Sequence, residues 1–100
     1  MDFTDELQFI EDIEAHPAIW RKQSAAYKDA NRRANAWRTI AAKHKLTTDR
    51  AKIVYRVIRD RYRKALKKRS GDERAEETAE QTAWMAQLQF LRGYMVTRKE

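Results

Sequence analysis

The chain has no cysteine, two glycines and one proline among its 100 residues. Without cysteine it can form no disulfide, thiolate metal site or cysteine nucleophile, a composition that suits a reducing compartment. Because glycine and proline make most tight turns, their scarcity leaves little room for β-hairpins. No stretch approaches the roughly 18 apolar residues of a membrane span. The acidic opening residues do not predict a signal peptide. A helical protein is therefore expected.

The residues that most enzyme sites need are also scarce. With Gly71 and Gly93 as the only glycines, no glycine-rich phosphate loop can form. His16 and His44 lie far apart, and no cysteine or carboxylate cluster completes a metal-binding set. The acids between Asp72 and Glu80 lack the glycine and the alternating spacing of a calcium loop. We therefore expect no enzymatic activity, no metal and no cofactor.

Charge is distributed unevenly along the chain, whose formal net charge is +7. Residues 1–20 contain six acids and no Lys or Arg, whereas residues 21–69 contain 18 bases and three acids. Residues 70–91 are acidic again, with five acids and one base. The middle of the chain is therefore expected to seek a polyanion, and the acidic ends are candidates to pack against it.

Apolar periodicity predicts two helices in the first half of the chain. The first begins at Thr4, whose hydroxyl is the expected N-cap, and ends near Ala15, ahead of Pro17. Residues 21–29 are predicted to be an irregular connection. The second helix runs from about Ala30 to His44. Its buried face is expected to contain Ala34, Trp37, Ile40, Ala41 and His44.

The third helix is the clearest in the pattern. Thr47 is its expected N-cap, and it ends near Arg69, ahead of Ser70 and Gly71. Its apolar stripe consists of Ala51, Val54, Tyr55, Ile58, Tyr62, Ala65 and Leu66. The opposite face has Lys52, Arg56, Asp60, Arg63, Lys64 and Lys67, with Arg50, Arg59, Arg61 and Lys68 at its edges. Asp60 is the only acid between Arg50 and Arg69, and this near-uniform sign favours nucleic acid over simple solvation.

Ile53 and Val57 are predicted to lie beside the basic face, away from the apolar stripe. Three roles are open for this pair. The two side chains suit contact with thymine methyl groups, anchoring of a protein partner, or covering of the edge of the core.

A fourth helix is predicted to start after Gly71 and to reach Leu91 or beyond. Its apolar set is Trp84, Met85, Leu88, Leu91 and Met95, flanked by Phe90 and Tyr94. Residues 1–96 are expected to form one domain, and residues 97–100 a frayed tail.

Three large aromatic residues recur at nearly even spacing, at Trp20, Trp37 and Tyr55. Each is expected on the buried side of one of three consecutive helical units. Three helices that contribute one ring each to a shared core are typical of helix-turn-helix domains. The predicted fold is therefore all-α, with a three-helix core of the helix-turn-helix type, a long third helix and an additional C-terminal helix.

Several segments resemble the MADF domains, a Myb/SANT-like family named after an insect transcription factor. Phe9–Ile13 and His16–Trp20 resemble the family's opening. Segments similar to its later motifs follow in order: Tyr27–Asp29, Arg32–Arg33, Ala36–Ala41, Ile58–Lys64 and Leu88–Leu91. The resemblance covers roughly residues 7–94. The chain departs from the family in having Tyr55 at the third tryptophan position, and in an acidic stretch, Asp72–Glu80, able to cover part of the basic face.

The resemblance implies a nuclear transcriptional or chromatin protein whose third helix, about residues 47–69, is the recognition helix. We expect double-stranded DNA as the partner, with the helix in the major groove. The expected DNA-binding residues are Lys52, Ile53, Arg56, Arg59, Arg63, Lys64, Lys43 and Lys45. The alternative is a protein-protein interaction module of a chromatin-associated complex that uses the same basic and apolar face. Neither a small-molecule substrate nor a membrane is expected as a partner.

Overall fold

The computed structural model describes residues 2–69 and 78–94, with the backbone alone at residues 68 and 69. Within these ranges the regular structure is entirely helical, which confirms the all-α prediction. The α-helices are α1 (Phe3–Glu14), α2 (Pro17–Trp20), α3 (Ala25–Lys28), α4 (Ala30–Lys43), α5 (Thr48–Arg69) and α6 (Ala79–Gln87). A 3₁₀ helix, Gln89–Tyr94, follows α6. The predicted tail at 97–100 lies outside the described residues.

Helix α1 begins one residue before the predicted start, so the expected cap at Thr4 is wrong. The Asp2 carboxylate accepts a hydrogen bond from the Asp5 N–H at 2.9 Å and caps the helix instead. At the other end, two side chains from beyond the helix satisfy carbonyl groups of its last turn. His16 Nδ1 donates to the Asp12 carbonyl (2.8 Å), and Trp20 Nε1 donates to the Ile13 carbonyl (2.9 Å). These bonds fold the chain back at Pro17 and satisfy carbonyl groups that the end of α1 leaves without a partner in the helix.

The connection predicted to be irregular contains a single helical turn, α3, so that prediction is wrong for residues 25–28. Two side chains account for the local structure. The Ser24 hydroxyl accepts from the Tyr27 N–H at 3.0 Å and starts α3. The Asp29 carboxylate accepts from the Asn31 and Arg32 N–H groups and starts α4. A capping side chain at each start is the usual reason that short polar segments become helical.

A tight turn joins α4 to α5. The Leu46 N–H donates to the Ala41 carbonyl (2.8 Å), and the Lys45 N–H donates to the Ala42 carbonyl (3.2 Å). This pair of bonds is a Schellman motif, and it puts Lys45 in the left-handed region with φ 58°. Thr47 then caps α5 as predicted, because its hydroxyl accepts from the Arg50 N–H at 3.0 Å. The turn therefore fixes where the long helix leaves α4.

The core includes residues from α1, α2, α4, α5, α6 and the 3₁₀ helix. Its largest fully buried side chains are Phe9, Ile10, Ile13, Ile40, Ile58, Tyr62, Leu88 and Leu91. On α4 the predicted face is confirmed at Trp37, Ile40 and Ala41. It is wrong at Ala34, which is exposed, while Ala36 is buried in its place. The core lies on the inner side of α5 and holds that helix at the surface.

The three evenly spaced aromatic residues do not form one ring cluster. Trp37 packs on Tyr55 with ring centroids 5.7 Å apart, at the joint between α4 and α5. Trp20 instead contacts Phe90 and Tyr94 at 4.9 and 5.2 Å. All three adjoin one hydrophobic core, but Trp20 joins α2 to the C-terminal segment. The even spacing thus predicted that each ring contacts the core, where Trp37 is buried and Trp20 and Tyr55 are half-buried. It did not predict that Trp20 packs on Phe90 and Tyr94.

The C-terminal segment is less regular than predicted. Helix α6 is capped by the Thr78 hydroxyl and ends at Gln87, and the chain continues as the 3₁₀ helix, so a single helix to Leu91 is wrong. The narrower helix keeps Leu88 and Leu91 buried and turns Phe90 and Tyr94 toward Trp20. The predicted start after Gly71, and Met95, lie outside the described residues.

Candidate nucleic-acid interface

Helix α5 has a buried side and an exposed side, as the periodicity predicts. Ala51, Ile58 and Tyr62 are buried, and the other members of the stripe are half-buried: Val54, Tyr55, Ala65 and Leu66. Burial raises the pKa of Tyr55 to about 12, although the nearby charge of Arg59 acts in the opposite direction. The phenol is therefore neutral near pH 7 and acts as a packing group beneath the outer face.

The exposed side of α5 contains most of the predicted DNA-binding residues. Lys52, Arg56 and Arg63 are exposed, and Arg59 is half-buried at the edge. These four follow at steps of four, three and four residues, so they form one ridge along the helix, here called the cationic ridge. Ile53 and Val57 lie beside it and are 44% and 49% exposed, so they do not cover the core. Lys64 is exposed on the same flank as Val57.

Contacts with neighbouring side chains divide the basic residues of α5 into two groups. Arg61 donates to Glu6 at 2.9 Å and lies over the Trp84 ring at 4.7 Å, so it fastens α5 to α1 and α6. Arg59 lies over the Tyr55 ring at 5.5 Å. Arg63 pairs with Asp60 at 2.9 Å, but both side chains are more than half exposed, and such pairs contribute little.

The second group has no ion-pair partner among the residues that the structure describes. It consists of Arg50, Lys52, Arg56, Lys64 and Lys67. Their ammonium and guanidinium groups extend from a helix about 10–12 Å in diameter with side chains. This part of α5 is an open cationic surface on a rigid support.

Lys43 and Lys45, which the sequence assigns to DNA contact, lie at the α4–α5 turn. Lys45 is exposed at the turn itself. The Lys43 ammonium donates to Asp12 Oδ1 at 3.0 Å, while its side chain remains about half exposed. One of these two cations is therefore already engaged within the protein.

Asp12 is a residue of the site that sequence reasoning missed. His44 Nε2 donates to Asp12 Oδ2 at 2.7 Å, and the His44 ring packs edge-on against Phe9. Burial by itself raises the pKa of Asp12. The hydrogen bonds from His44 and Lys43, together with their charges, outweigh burial and leave that pKa below the ordinary 3.8. The carboxylate joins α1 to the end of α4, next to the turn that leads into α5.

A signal for Asp12 was present in the sequence. It lies between Phe9 and Ile13 on the apolar face of α1, where an unpaired acid is costly and a partner is expected. His44 was predicted on the buried face of the second helix, and that position is confirmed. Which acid it meets depended on how α1 crosses α4.

The acidic N-terminal region packs on the basic middle at these two points, Glu6 with Arg61 and Asp12 with Lys43. Neither pair occupies the cationic ridge. Most of the acidic stretch predicted to cover the basic face, Asp72–Glu77, lies outside the described residues. Arg56 and Arg63 are exposed in the structure, so the ridge is accessible.

The described residues, 2–69 and 78–94, contain neither a metal centre nor a membrane-spanning helix. No three His, Asp or Glu side chains there come together as a metal site. None of the helices in those ranges is long and apolar enough to cross a membrane.

Comparison with known protein families matches residues 9–91 to the family described as "Alcohol dehydrogenase transcription factor Myb/SANT-like", the MADF DNA-binding domain. The chain belongs to this family. The family resemblance stated from sequence is thus confirmed, together with the all-α Myb/SANT-like fold class. Comparisons with curated proteins and with solved structures gave no match.

Membership of the MADF family indicates a DNA-binding, transcription-related role for the chain. The MADF family is a family of DNA-binding domains rather than of enzymes. Its match includes the α4–α5 turn and the whole of α5, the part of the chain with the open cationic surface.

Proposed function

We propose that the protein is the DNA-binding module of a nuclear transcriptional regulator, and that α5 is its recognition helix in the major groove of double-stranded DNA. One observation supports this above all: the exposed cationic ridge is held on the outer side of a helix whose inner side is built into the core. An α-helix is about 10–12 Å in diameter with its side chains, and the major groove of B-DNA is wide enough to admit it.

The basic residues of α5 and of the α4–α5 turn divide by position into those that contact bases and those that contact phosphates. Helix-turn-helix domains contact base edges with the N-terminal part of the recognition helix. Lys52 and Arg56 lie in that part and have no ion partner among the described residues, so they contact bases. Five further residues contact phosphates: Arg59, Arg63, Lys64, Lys43 and Lys45.

The test is a titration of fluorescently labelled duplex DNA at two salt concentrations, using wild type and Arg56→Ala. Affinity should fall steeply as salt rises, because each phosphate contact releases counterions. Arg56→Ala should weaken binding by about fivefold or more, because a bidentate base contact is worth about 1–3 kcal/mol. Arg32→Ala is the matched control, since Arg32 is an exposed arginine near the start of α4, paired with Asp29.

Absence of binding at low salt would exclude the proposal. Equal affinity of wild type and a folded Arg56→Ala variant would show that the groove-facing surface is elsewhere.

A second candidate function is docking of a protein partner in a chromatin-associated complex. The exposed pair Ile53 and Val57, next to cations, is the observation that favours it. Pull-down from nuclear extract after nuclease treatment separates the two functions. A partner that survives nuclease and is lost with Ile53→Ala plus Val57→Ala supports docking, and loss of every partner on nuclease treatment contradicts it.

A further inference from the structure

Ile53 and Val57 are the large apolar side chains that stand out as exposed among the described residues, at 44% and 49%. Both belong to α5, the helix with the cationic ridge, and neither side chain packs into the hydrophobic core. An aliphatic group held in water gains free energy when it is covered, in rough proportion to the apolar area removed from water. A binding partner that covers Ile53 and Val57 would therefore gain free energy from their burial.

Their directions around α5 differ. At 3.6 residues per turn, Ile53 lies about 60° from Arg56 around the helix axis and Val57 about 100°. Ile53 therefore lies closer than Val57 to the direction of Arg56. It is about 100° from Lys52, and the two apolar side chains are about 40° apart on one side of the cationic ridge. Ile53 also lies between Lys52 and Arg56 in the chain, in the N-terminal half of the helix.

The surroundings of Ile53 suit DNA better than a protein. A stable protein interface covers about 800 Å² on each partner and has few charges at its centre. Two half-exposed aliphatic side chains do not supply that area, and the cations Lys52 and Arg56 adjoin Ile53. Base edges in the major groove present a single apolar group, the C5 methyl of thymine. One groove therefore suits both kinds of side chain. Lys52 and Arg56 are able to contact phosphates or guanine, while Ile53 contacts a thymine methyl group.

We propose that Ile53 recognises the C5 methyl group of thymine and so makes the protein prefer an A·T pair next to the base that Arg56 contacts. This inference rests on the proposed function and deepens it by naming the base-edge group that is recognised. Ile53 is thereby a specificity-determining residue, while the cationic ridge supplies most of the affinity.

Replacement of thymine by uracil removes the methyl group and keeps the base pair, so it provides the test. The probe is a duplex recovered by the wild-type protein from a pool of random duplexes at low salt, then synthesised with thymine or with uracil. Wild type should bind the uracil duplex about fourfold more weakly for each methyl contacted, since burial of one such group is worth about 0.8 kcal/mol.

Ile53→Ala should bind both duplexes equally, because the alkyl group that meets the methyl is gone. Val57→Ala is the matched control, as it truncates an equally exposed aliphatic residue on the same helix, and it should keep the fourfold difference. Thermal melts of both variants should match wild type, which would show that the fold is unchanged.

Three results would overturn the inference: equal binding of thymine and uracil duplexes by wild type, a fourfold difference that survives in Ile53→Ala, or a difference lost only in Val57→Ala. Each leaves salt-dependent DNA binding, and hence the proposed function, intact. Failure to recover any duplex at low salt would instead overturn the proposed function.

Discussion

At the scale of single residues, Trp37 is the clearest case of a side chain whose burial supports α5. It is 8% exposed and packs on Tyr55, the half-buried ring beneath the outer face. Trp37→Ala should lower the free energy of unfolding by about 3–5 kcal/mol, because the lost ring leaves a cavity that the neighbours fill only in part. A thermal melt measures the loss.

Val57→Ala provides the control for that melt, since it removes exposed atoms and should change stability by less than about 0.5 kcal/mol. Equal melting temperatures for Trp37→Ala and wild type would contradict the burial of this ring.

Asp12 makes the free energy of unfolding depend on pH. Because its pKa is lowered in the folded protein, the charged carboxylate contributes stability above the ordinary 3.8 and loses that contribution as pH falls through the lowered value. Asp12→Asn should therefore cost about 1–3 kcal/mol near pH 7, since the His44 and Lys43 groups lose a charged acceptor. The difference in the free energy of unfolding between Asp12→Asn and wild type should become smaller below about pH 3.8, where the wild-type carboxylate becomes protonated.

Urea denaturation of Asp12→Asn and wild type, at neutral and at acid pH, measures the difference in the free energy of unfolding at each pH. Glu11→Gln, at an exposed neighbouring acid, should follow wild type at every pH. A gap between Asp12→Asn and wild type that stays constant with pH would mean that the carboxylate is not what stabilises the α1–α4 joint.

At the scale of elements, the turn between α4 and α5 contains one strained residue. Lys45 adopts φ 58°, a conformation that costs a residue with a Cβ roughly 1–2 kcal/mol and costs glycine almost nothing. Lys45→Gly should therefore raise the free energy of unfolding by about 1 kcal/mol, a few degrees in melting temperature.

Lys45→Ala removes the same charge and keeps the Cβ, so it should give no such gain. If both variants melt alike, the left-handed conformation is not what limits stability at this turn. Both variants should lose DNA affinity equally, because each lacks the same ammonium group.

At the scale of the whole molecule, the acidic N-terminal region uses some cations internally and leaves others for DNA. Lys64 has no ion partner among the described residues, whereas Lys43 is bound to Asp12. Lys64→Ala should weaken the salt dependence of binding. The magnitude of the negative slope of log affinity against log salt should fall by about 1, the effect of one phosphate contact. Lys43→Ala should change that slope less, since its charge is already partly neutralised.

Titrations at four or more salt concentrations would measure both slopes. A larger change for Lys43 than for Lys64 would contradict this division of the cations.

Much of the local structure follows from sequence patterns that need no tertiary information. The stripe from Ala51 to Leu66 predicted the inner side of α5, and the remainder of the same helix predicted the exposure of Lys52 and Arg56. Whether Ile53 covers the core was left open and needed the structure. Caps are less predictable, because more than one side chain near a helix start is able to accept from the free N–H groups. At α1 the Asp2 carboxylate does so in place of the expected Thr4 hydroxyl. The change from α6 to a 3₁₀ helix was not predictable, because it arises where Phe90 and Tyr94 meet Trp20.

The sequence by itself determined that the chain is helical, belongs to the MADF family and has one long helix that is apolar on one side and cationic on the other. These properties depend on residue type and on spacing within a few turns. Only the tertiary structure decided which cations are free, because the pairs Glu6–Arg61 and Asp12–Lys43 join residues far apart in the chain. Ion pairs act over a few ångströms, so such partners are chosen by the packing of α1 against α4 and α5.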